Sequence, residues 1–566
     1  MVANGRVPLL KRVSRSLAVS VVAVAGAVAS ASVVLAAGSL AQLTNTGNDP
    51  YAACTAGAGT GLSYVKSEVE PFGAVNPTPS AASSLVAVFQ QDRWSNGGAH
   101  GLAAAVVPGG GRPARIVPLP FTQCAPGTPT DLLYERASDP WVSFGPGTPT
   151  SPGGSTAYTV SISFNQSPGK NGNTVGAAVS YDGGLTWQHA QSLHSDAATG
   201  VPVPVPDSNF QFFHDKESVT ADPTRPGSAY AVWDVLIGPN MSVEADLHSA
   251  SFSDFTLFSS TTDFGRTWSP VRVINTSANP TQQNNQTIGN VIVVDPRTGT
   301  LYNFFDQIFS TGSNAGGNPG GAHGFNVAFQ QSTDAGLTWT DAQLIAPLGT
   351  TFVSDPNNVD PRTNTPPVPL RTGDITPEPA IDPQTGDLYV VWQDSRFSGH
   401  DEIAIATSSD GGATWSTPKR VSTPGGQAFT ASVAVRNSGT LGTPGTVGVT
   451  YYQLGATSLG SMPTTYFIKE FPRSAVTSSS ASSIDTGVAA TTVAGPFNML
   501  DAPFAGGYFT GDYQALIATR TGFTPVFVQG ACGTALSCEA LTSVVPPANR
   551  TPTGNDSTDV FAGTGF

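Results

Sequence analysis

The stretch Ser180-Tyr181-Asp182-Gly183-Gly184-Leu185-Thr186-Trp187 has the form S/T-x-D-x-G-x-T-W, and the chain writes that form again at 261–268, 332–339 and 408–415. The aspartates of the four copies, Asp182, Asp263, Asp334 and Asp410, stand 81, 71 and 76 positions apart. A period of that length is the mark of a repeated supersecondary unit. A second repeated element confirms it. The segments 222–234, 295–306 and 382–394 share Asp-Pro, a Gly, then Tyr, with an aromatic three residues later, which reads as a tight turn entering an alternating strand. An apolar run precedes each of these segments, and a further strand follows it and ends in the box. The unit therefore has four strands, A to D, with the Asp-Pro turn between A and B and the box between C and D.

Weaker versions of the unit bring the count to seven. Serial four-stranded antiparallel sheets that cannot bury both faces alone stack radially, so the expected fold is an all-β propeller of six or seven blades. Within the box, the short polar residue and the Asp can bond backbone amides of the turn, the Gly can take positive φ, and the Trp can pack between sheets. The four aspartates are thus structural; the D-x-[DN]-x-[DN]-G spacing of a calcium loop is missing, and neither a metal nor a cofactor is expected.

Composition agrees with a strand-rich chain. Only 11% of the 566 residues are charged, while Gly (62) and Pro (46) are abundant. A formal net charge of −14, with no basic cluster beyond the N-terminus, argues against a nucleic-acid or anionic-membrane partner. At the N-terminus, Arg6, Lys11, Arg12 and Arg15 precede an uncharged apolar run from Leu17 to about Ala37, followed by small-x-small sites such as Ser39-Leu40-Ala41. This is the pattern of a secretory signal, and the run is nearly long enough to be an uncleaved anchor. The four cysteines fit an oxidising compartment. Cys532 and Cys538 enclose a short loop that a disulfide can close, which leaves Cys54 and Cys124 to pair. The expected organisation is a signal or anchor over 1–41, an extension over 42–64, the propeller over 65–545 and a tail over 546–566.

The box repeats resemble the Asp boxes, or BNR repeats, of the sialidase-like superfamily, and the resemblance covers about residues 65 to 545. It implies a propeller, six-bladed in true sialidases, and a glycan ligand. Up-and-down topology places the start of each A strand and the B-to-C loops on one face, opposite the boxes. That face carries Glu70, Asp139, Glu217, Glu378 and Tyr513 at strand starts, Asp92 and Arg93 in the first B-to-C loop, Arg136 before the second unit, and Arg396, His400 and Asp401 in a later loop. Sialidases use a tyrosine nucleophile activated by a glutamate, an aspartate acid/base and three arginines that clamp the sugar carboxylate; they are an exception to the two-carboxylate rule.

By this resemblance "GDYQAL" maps Tyr513 to the nucleophile, and "TPEPAIDPQTGDLYVVWQDSRF" maps Glu378 to its base and Arg396 to the clamp. Glu217 is the alternative base and Asp92 stands nearest the acid/base position. Arg93, Arg136, His400 and Asp401 complete the expected substrate-binding set. The sequence departs from the family in lacking an F-R-I-P or Y-R-I-P segment at the first unit and an Asp beyond Asp92 in the first B-to-C loop. Two functions follow: an exported exo-glycosidase of sialidase type, or a non-catalytic extracellular propeller that binds a glycan or protein. Oligomeric state is left open.

Overall fold

The computed structural model describes residues 38–44, 49–80, 83–109, 112–170, 172–195, 210–239, 253–275, 286–309, 324–478, 484, 487–530 and 557–566. Among these residues the strands build seven four-stranded antiparallel blades in the expected A-B-C-D order. The first blade runs from Ser63–Val75 to Arg115–Pro118, the second from Arg136–Pro146 to Gln188–Ser195, and the third from Phe210–Ala221 to Arg272–Val273. The fourth spans Gln286–Val294 to Gln343–Pro347, the fifth Glu378–Ile381 to Lys419–Arg420, and the sixth Ala428–Arg436 to Thr491–Asn498. A single bridge, Ala99 to Ala137, joins the first two blades into a continuous sheet. The one α-helix among the described residues is the short Arg473–Thr477, and no described helix is long and apolar enough to cross a membrane.

The seventh blade closes the ring with both ends of the chain. Ala515–Ala518, Phe523–Gly530 and Thr558–Thr564 supply its inner three strands, and Ser39–Gln42 pairs with Thr558–Thr564 as the outermost. Two stretches expected outside the propeller, the segment through 41 and the tail from 546, therefore contribute strands to it. Cleavage after Ala41 would remove three of the four residues of the closing strand. The apolar run up to Ala37, like Cys532 and Cys538, lies outside the described residues. Cys54 and Cys124 are bonded as expected, with Cα atoms 5.6 Å apart, and this bridge ties the segment after the closing strand to the first blade.

Second strands such as Leu85–Trp94 and Ser155–Phe164 are buried along their whole length, because a blade packs on each face. Between the second and third blades, Tyr158, Val179, Val219 and Trp233 form one continuous core. The boxes build the outer ends of these seams. In the first copy Asp182 accepts from the Thr186 amide at 2.9 Å and the Thr186 hydroxyl at 2.6 Å, while Ser180 Oγ accepts from the Gly184 amide at 2.7 Å. Asp263, Asp334 and Asp410 repeat these bonds in the third, fourth and fifth blades. The repeated glycine has a second reason. A Cβ on Gly184, Gly265, Gly336 or Gly412 would collide with Val86, Val179, Phe258 or Phe329 of the preceding blade, and all four have positive φ. The tryptophans do pack across the seam, Trp339 edge-on to Phe258 at 5.6 Å and Trp415 to Phe329 at 5.6 Å. They are half-buried rather than fully buried, since the box sits at the rim.

Candidate functional site: the axial funnel

Strand register fixes which end of the propeller can hold a site. In the second blade Ser180, which opens the box, pairs with Ala157, whereas Arg136 at the start of the innermost strand pairs with Phe164 at the far end. The boxes and the starts of the inner strands thus occupy opposite faces.

On that opposite face the inner strands of the first, second, third, fourth and sixth blades each carry a β-bulge, centred on Glu70, Asp139, Lys216, Gly289 and Thr430. Their φ angles are 51°, 52°, 51°, 74° and 47°. A left-handed conformation costs a non-glycine residue about 1–2 kcal/mol, and bulges that re-aim a side chain are found beside functional sites. Here the bulges bring three charged side chains together. Lys216 Nζ lies 3.0 Å from Asp139, 2.6 Å from Asp512 and 3.6 Å from Glu70. Burial lowers the affinity of Lys216 for its proton, but Asp139, Asp512 and Glu70 more than reverse this, so the ammonium is held charged well beyond the ordinary range. Glu70 is pushed up to about 8, by burial first and by the Asp139 charge second.

The remaining wall comes from an addition to the propeller that sequence periodicity did not reveal. Val368–Arg371, between the fourth and fifth blades, pairs in parallel with Tyr508–Phe509, between the sixth and seventh, with Arg371 opposite Phe509. Arg371 makes a forked pair with Asp512, Nε to Oδ1 at 3.1 Å and Nη2 to Oδ2 at 2.6 Å. Burial raises the Asp512 carboxyl, and Arg371 and Lys216 overcome that to hold it well below the usual carboxylate range. Arg93 approaches from the first blade, and the two guanidiniums lie 4.8 Å and 4.6 Å from the centroid of the Phe509 ring. Arg93 is 2% exposed, donates from Nη1 to Gln90 at 2.7 Å, and keeps a buried Nε with no hydrogen-bond partner. Burial, and then the neighbouring Arg371 charge, lower its pKa to about 10. Arg93, Arg371, Asn96, Ser138, Asp139 and Asp215 line a cavity of about 180 Å³ together with Ile162 and Phe164.

A second cavity of about 20 Å³ gathers Tyr513, Glu217 and Glu378 beside Trp141, Lys216 and Asn290. The three residues matched to sialidase chemistry therefore do meet, although they come from the seventh, third and fifth blades. They are not connected as that chemistry would have them. The Tyr513 hydroxyl donates to the Pro140 carbonyl at 3.1 Å, and both Glu217 carboxylate oxygens are buried without a hydrogen-bond partner. Burial, followed by Glu70 and Asp139, keeps the phenol protonated far above its ordinary range. Burial also raises Glu217 strongly and Glu378 to about 8. No arginine lines this cavity; its cation is Lys216.

The other expected site residues are engaged locally and line neither cavity. Asp92 accepts from the Lys66 amide at 2.7 Å and lies 3.2 Å from His100 Nδ1. Arg136 stacks over Trp94 and donates to Asn96 and to the Gly97 carbonyl. Arg396 pairs with Asp394 at 2.6 Å, Asp401 accepts from Thr350 and Thr351, and His400 sits beside Ser398. Among the described residues no three His, Cys, Asp or Glu side chains are grouped to hold a metal ion.

No protein-family model matches the chain, and no curated protein does. Solved structures similar to it include the α-L-arabinanase of Penicillium chrysogenum, 12% identical over 70% of this chain and 93% of that one, with a TM-score of 0.39. An α-L-arabinofuranosidase of Fusarium graminearum is 13% identical over 70% of this chain and 94% of its own, with a TM-score of 0.36. The sialidase of Trypanosoma rangeli is 13% identical over 69% of this chain and 53% of its own, also with a TM-score of 0.36. Similarity at this level carries no activity across to this chain.

Proposed function

We propose that this is an exported glycan-active propeller whose axial funnel takes the carboxylate-bearing end of a glycan, with hydrolysis of a terminal acidic sugar as its most concrete form. One observation carries the reading. Among the described residues no carboxylate lies within ion-pair distance of the buried Arg93, which instead faces a cavity beside a second guanidinium. A buried charge without a partner is costly, and an arriving carboxylate would supply one, engaging the planar fork of a guanidinium through paired hydrogen bonds. Asp139, Asp215 and Asn96 on the same wall offer acceptors and donors for sugar hydroxyls. Export is supported by the Cys54–Cys124 bridge, which belongs to an oxidising compartment.

In the hydrolytic form Tyr513 would attack the anomeric carbon and pass its proton to Glu217 or Glu378, while the glycosidic C–O bond breaks and the aglycone leaves with a proton taken from water; a second water would then cleave the glycosyl–tyrosine bond and return the proton to the phenol. That role requires the smaller cavity to open, since it has room for a water and not for a sugar ring. It also requires a carboxylate in its ionised state beside the phenol. The bond from Tyr513 to Pro140 and the raised carboxyls favour a second reading, a propeller that binds acidic glycans without cleaving them. Incubation with aryl sialosides and aryl uronides, alongside a glycan array, separates the two. Release of the aglycone supports the hydrolase; array binding to acidic glycans without release supports the binding propeller. Neither release nor any preference for acidic over neutral glycans would overturn the reading of the funnel.

A further inference from the structure

The closure of the ring contains a hydrogen-bond count that does not balance unless a proton is added. Thr44 follows the closing strand, and its hydroxyl lies 3.0 Å from Glu68 Oε2 and 3.1 Å from Asp559 Oδ1. The same oxygen accepts from the Val560 amide at 2.9 Å. A threonine hydroxyl has a single hydrogen to give, so it can satisfy one of those two carboxylate oxygens and not both. The second contact becomes a hydrogen bond only if one carboxyl carries a proton and donates it back to Thr44. The remaining oxygens meet neutral amides: Gln91 Nε2 donates to Glu68 Oε1 at 2.7 Å, and Gln42 Nε2 donates to Asp559 Oδ2 at 2.8 Å. Both acids are 2% exposed, and among the described residues neither has a Lys, Arg or His within ion-pair distance.

We propose that Glu68 and Asp559 share one proton across Thr44, and that this proton is part of the clasp that holds Ser39–Thr44 against the last strand and closes the propeller. The residues concerned come from every element of the joint: Gln42 and Thr44 from the N-terminal segment, Glu68 and Gln91 from the first blade, Asp559 from the seventh. Nearby charges reinforce the need for the proton. Asp92 faces Glu68, and Asp49 faces Asp92; among the described residues the basic side chain beside this group is His100, whose Nδ1 lies 3.2 Å from Asp92. Burial and the Asp559 charge raise Glu68, and burial raises Asp559 to about 6. When two carboxyls are coupled in this way the proton belongs to the pair.

As the pH rises, the unfolded or unclasped chain gives up the proton first and the closed form follows, so closure is favoured in acid and weakens towards alkaline pH. Hydrogen exchange of the amides paired between Ser39–Gln42 and Thr558–Thr564, corrected for the intrinsic pH dependence of exchange, reads the clasp directly in the full chain. The expected result is a fall in protection of about tenfold or more between about pH 5 and about pH 9, equivalent to ~1.4 kcal/mol. Glu68→Gln should keep its protection over the same range, because the Gln amide donates to Thr44 permanently where the acid must be protonated. Asp559→Asn offers the same test from the other side. Protection in the wild-type chain that does not change with pH overturns the proposal even if neither variant folds. A variant that loses protection with pH as steeply as the wild type overturns it as well.

Discussion

The Lys216 ammonium stands 2.6 Å from the carboxylate of Asp512, the residue immediately before Tyr513. This contact joins the innermost strand of the third blade to the residue that leads into the seventh, two segments that no hydrogen-bond ladder connects. Lys216 also holds Asp139 of the second blade. Replacing it with methionine would leave Asp139 without its cation and Asp512 with Arg371 alone. Lys216→Met is expected to destabilise the protein by about 3–5 kcal/mol, read as a lowered urea midpoint. Loss below ~1 kcal/mol would mean that solvent already screens the cluster.

Arg93 should behave in the opposite way. Its guanidinium is buried beside Arg371 with no carboxylate within ion-pair distance, so Arg93→Met removes a desolvated charge for which burial and Arg371 outweigh the attraction of the more distant Glu70, Asp139 and Asp512. The variant is expected to be as stable as the wild type or more so, while its affinity for acidic glycans falls by about tenfold or more. Arg93→Lys should recover only part of the binding, since an ammonium has no planar fork. A large loss of stability in Arg93→Met would make the residue a structural one.

The box glycines allow packing and backbone conformation to be separated. Gly336 has a φ of 84° and a Cβ there would collide with Phe258 of the third blade, whereas Gly399 has a φ of 85° with nothing within 4 Å. Gly399→Ala should cost about 1–2 kcal/mol for the left-handed backbone alone. Gly336→Ala should cost more by a further ~1–3 kcal/mol, because the aromatic ring must shift in a packed seam. Equal costs in thermal melts would show that the seam accommodates the methyl.

These contrasts follow what the sequence could and could not disclose. The box was readable because its bonds are local: Asp334 and Thr338 are four residues apart, and the pattern repeats with them. Strand parity was enough to bring Tyr513, Glu217, Glu378 and Arg93 to one face. Arg371 was missed because it belongs to a parallel pairing between two linkers, which leaves no periodic trace. Lys216 carries no such signal beside Glu217, since the bulge centred on it is a one-residue change of register. The closing strands leave no sequence signal for a related reason: Ser39–Gln42 and Thr558–Thr564 pair across nearly the whole length of the chain, and each is short. Arg396 could have been discounted from sequence, as Asp394 stands two residues before it and neutralises it locally.

The raised acids along the axis make a prediction about the whole fold. Glu378 rises from 4.5 to about 8 through burial alone, so the folded chain keeps a proton that the unfolded chain releases near its ordinary pKa. In that interval the folded state binds more protons, and stability must fall as pH increases. The contribution is complete below about pH 4, declines through the region between the two values, and is gone once the pH passes the folded pKa near 8. The urea midpoint is therefore expected to drop progressively from about pH 4 to about pH 9. Glu378→Gln, which keeps the shape of the neutral acid and cannot ionise, should flatten part of this slope and leave the acid-side midpoint close to that of the wild type. Glu70 is raised to about 8 as well, so it too is neutral in acid although Lys216 lies 3.6 Å away: Glu70→Gln should leave the acid-side midpoint close to that of the wild type and flatten a further part of the slope. A midpoint that rises with pH between about 5 and 8 would mean that Glu378 is ionised in the folded protein and meets a cation or donor in solution.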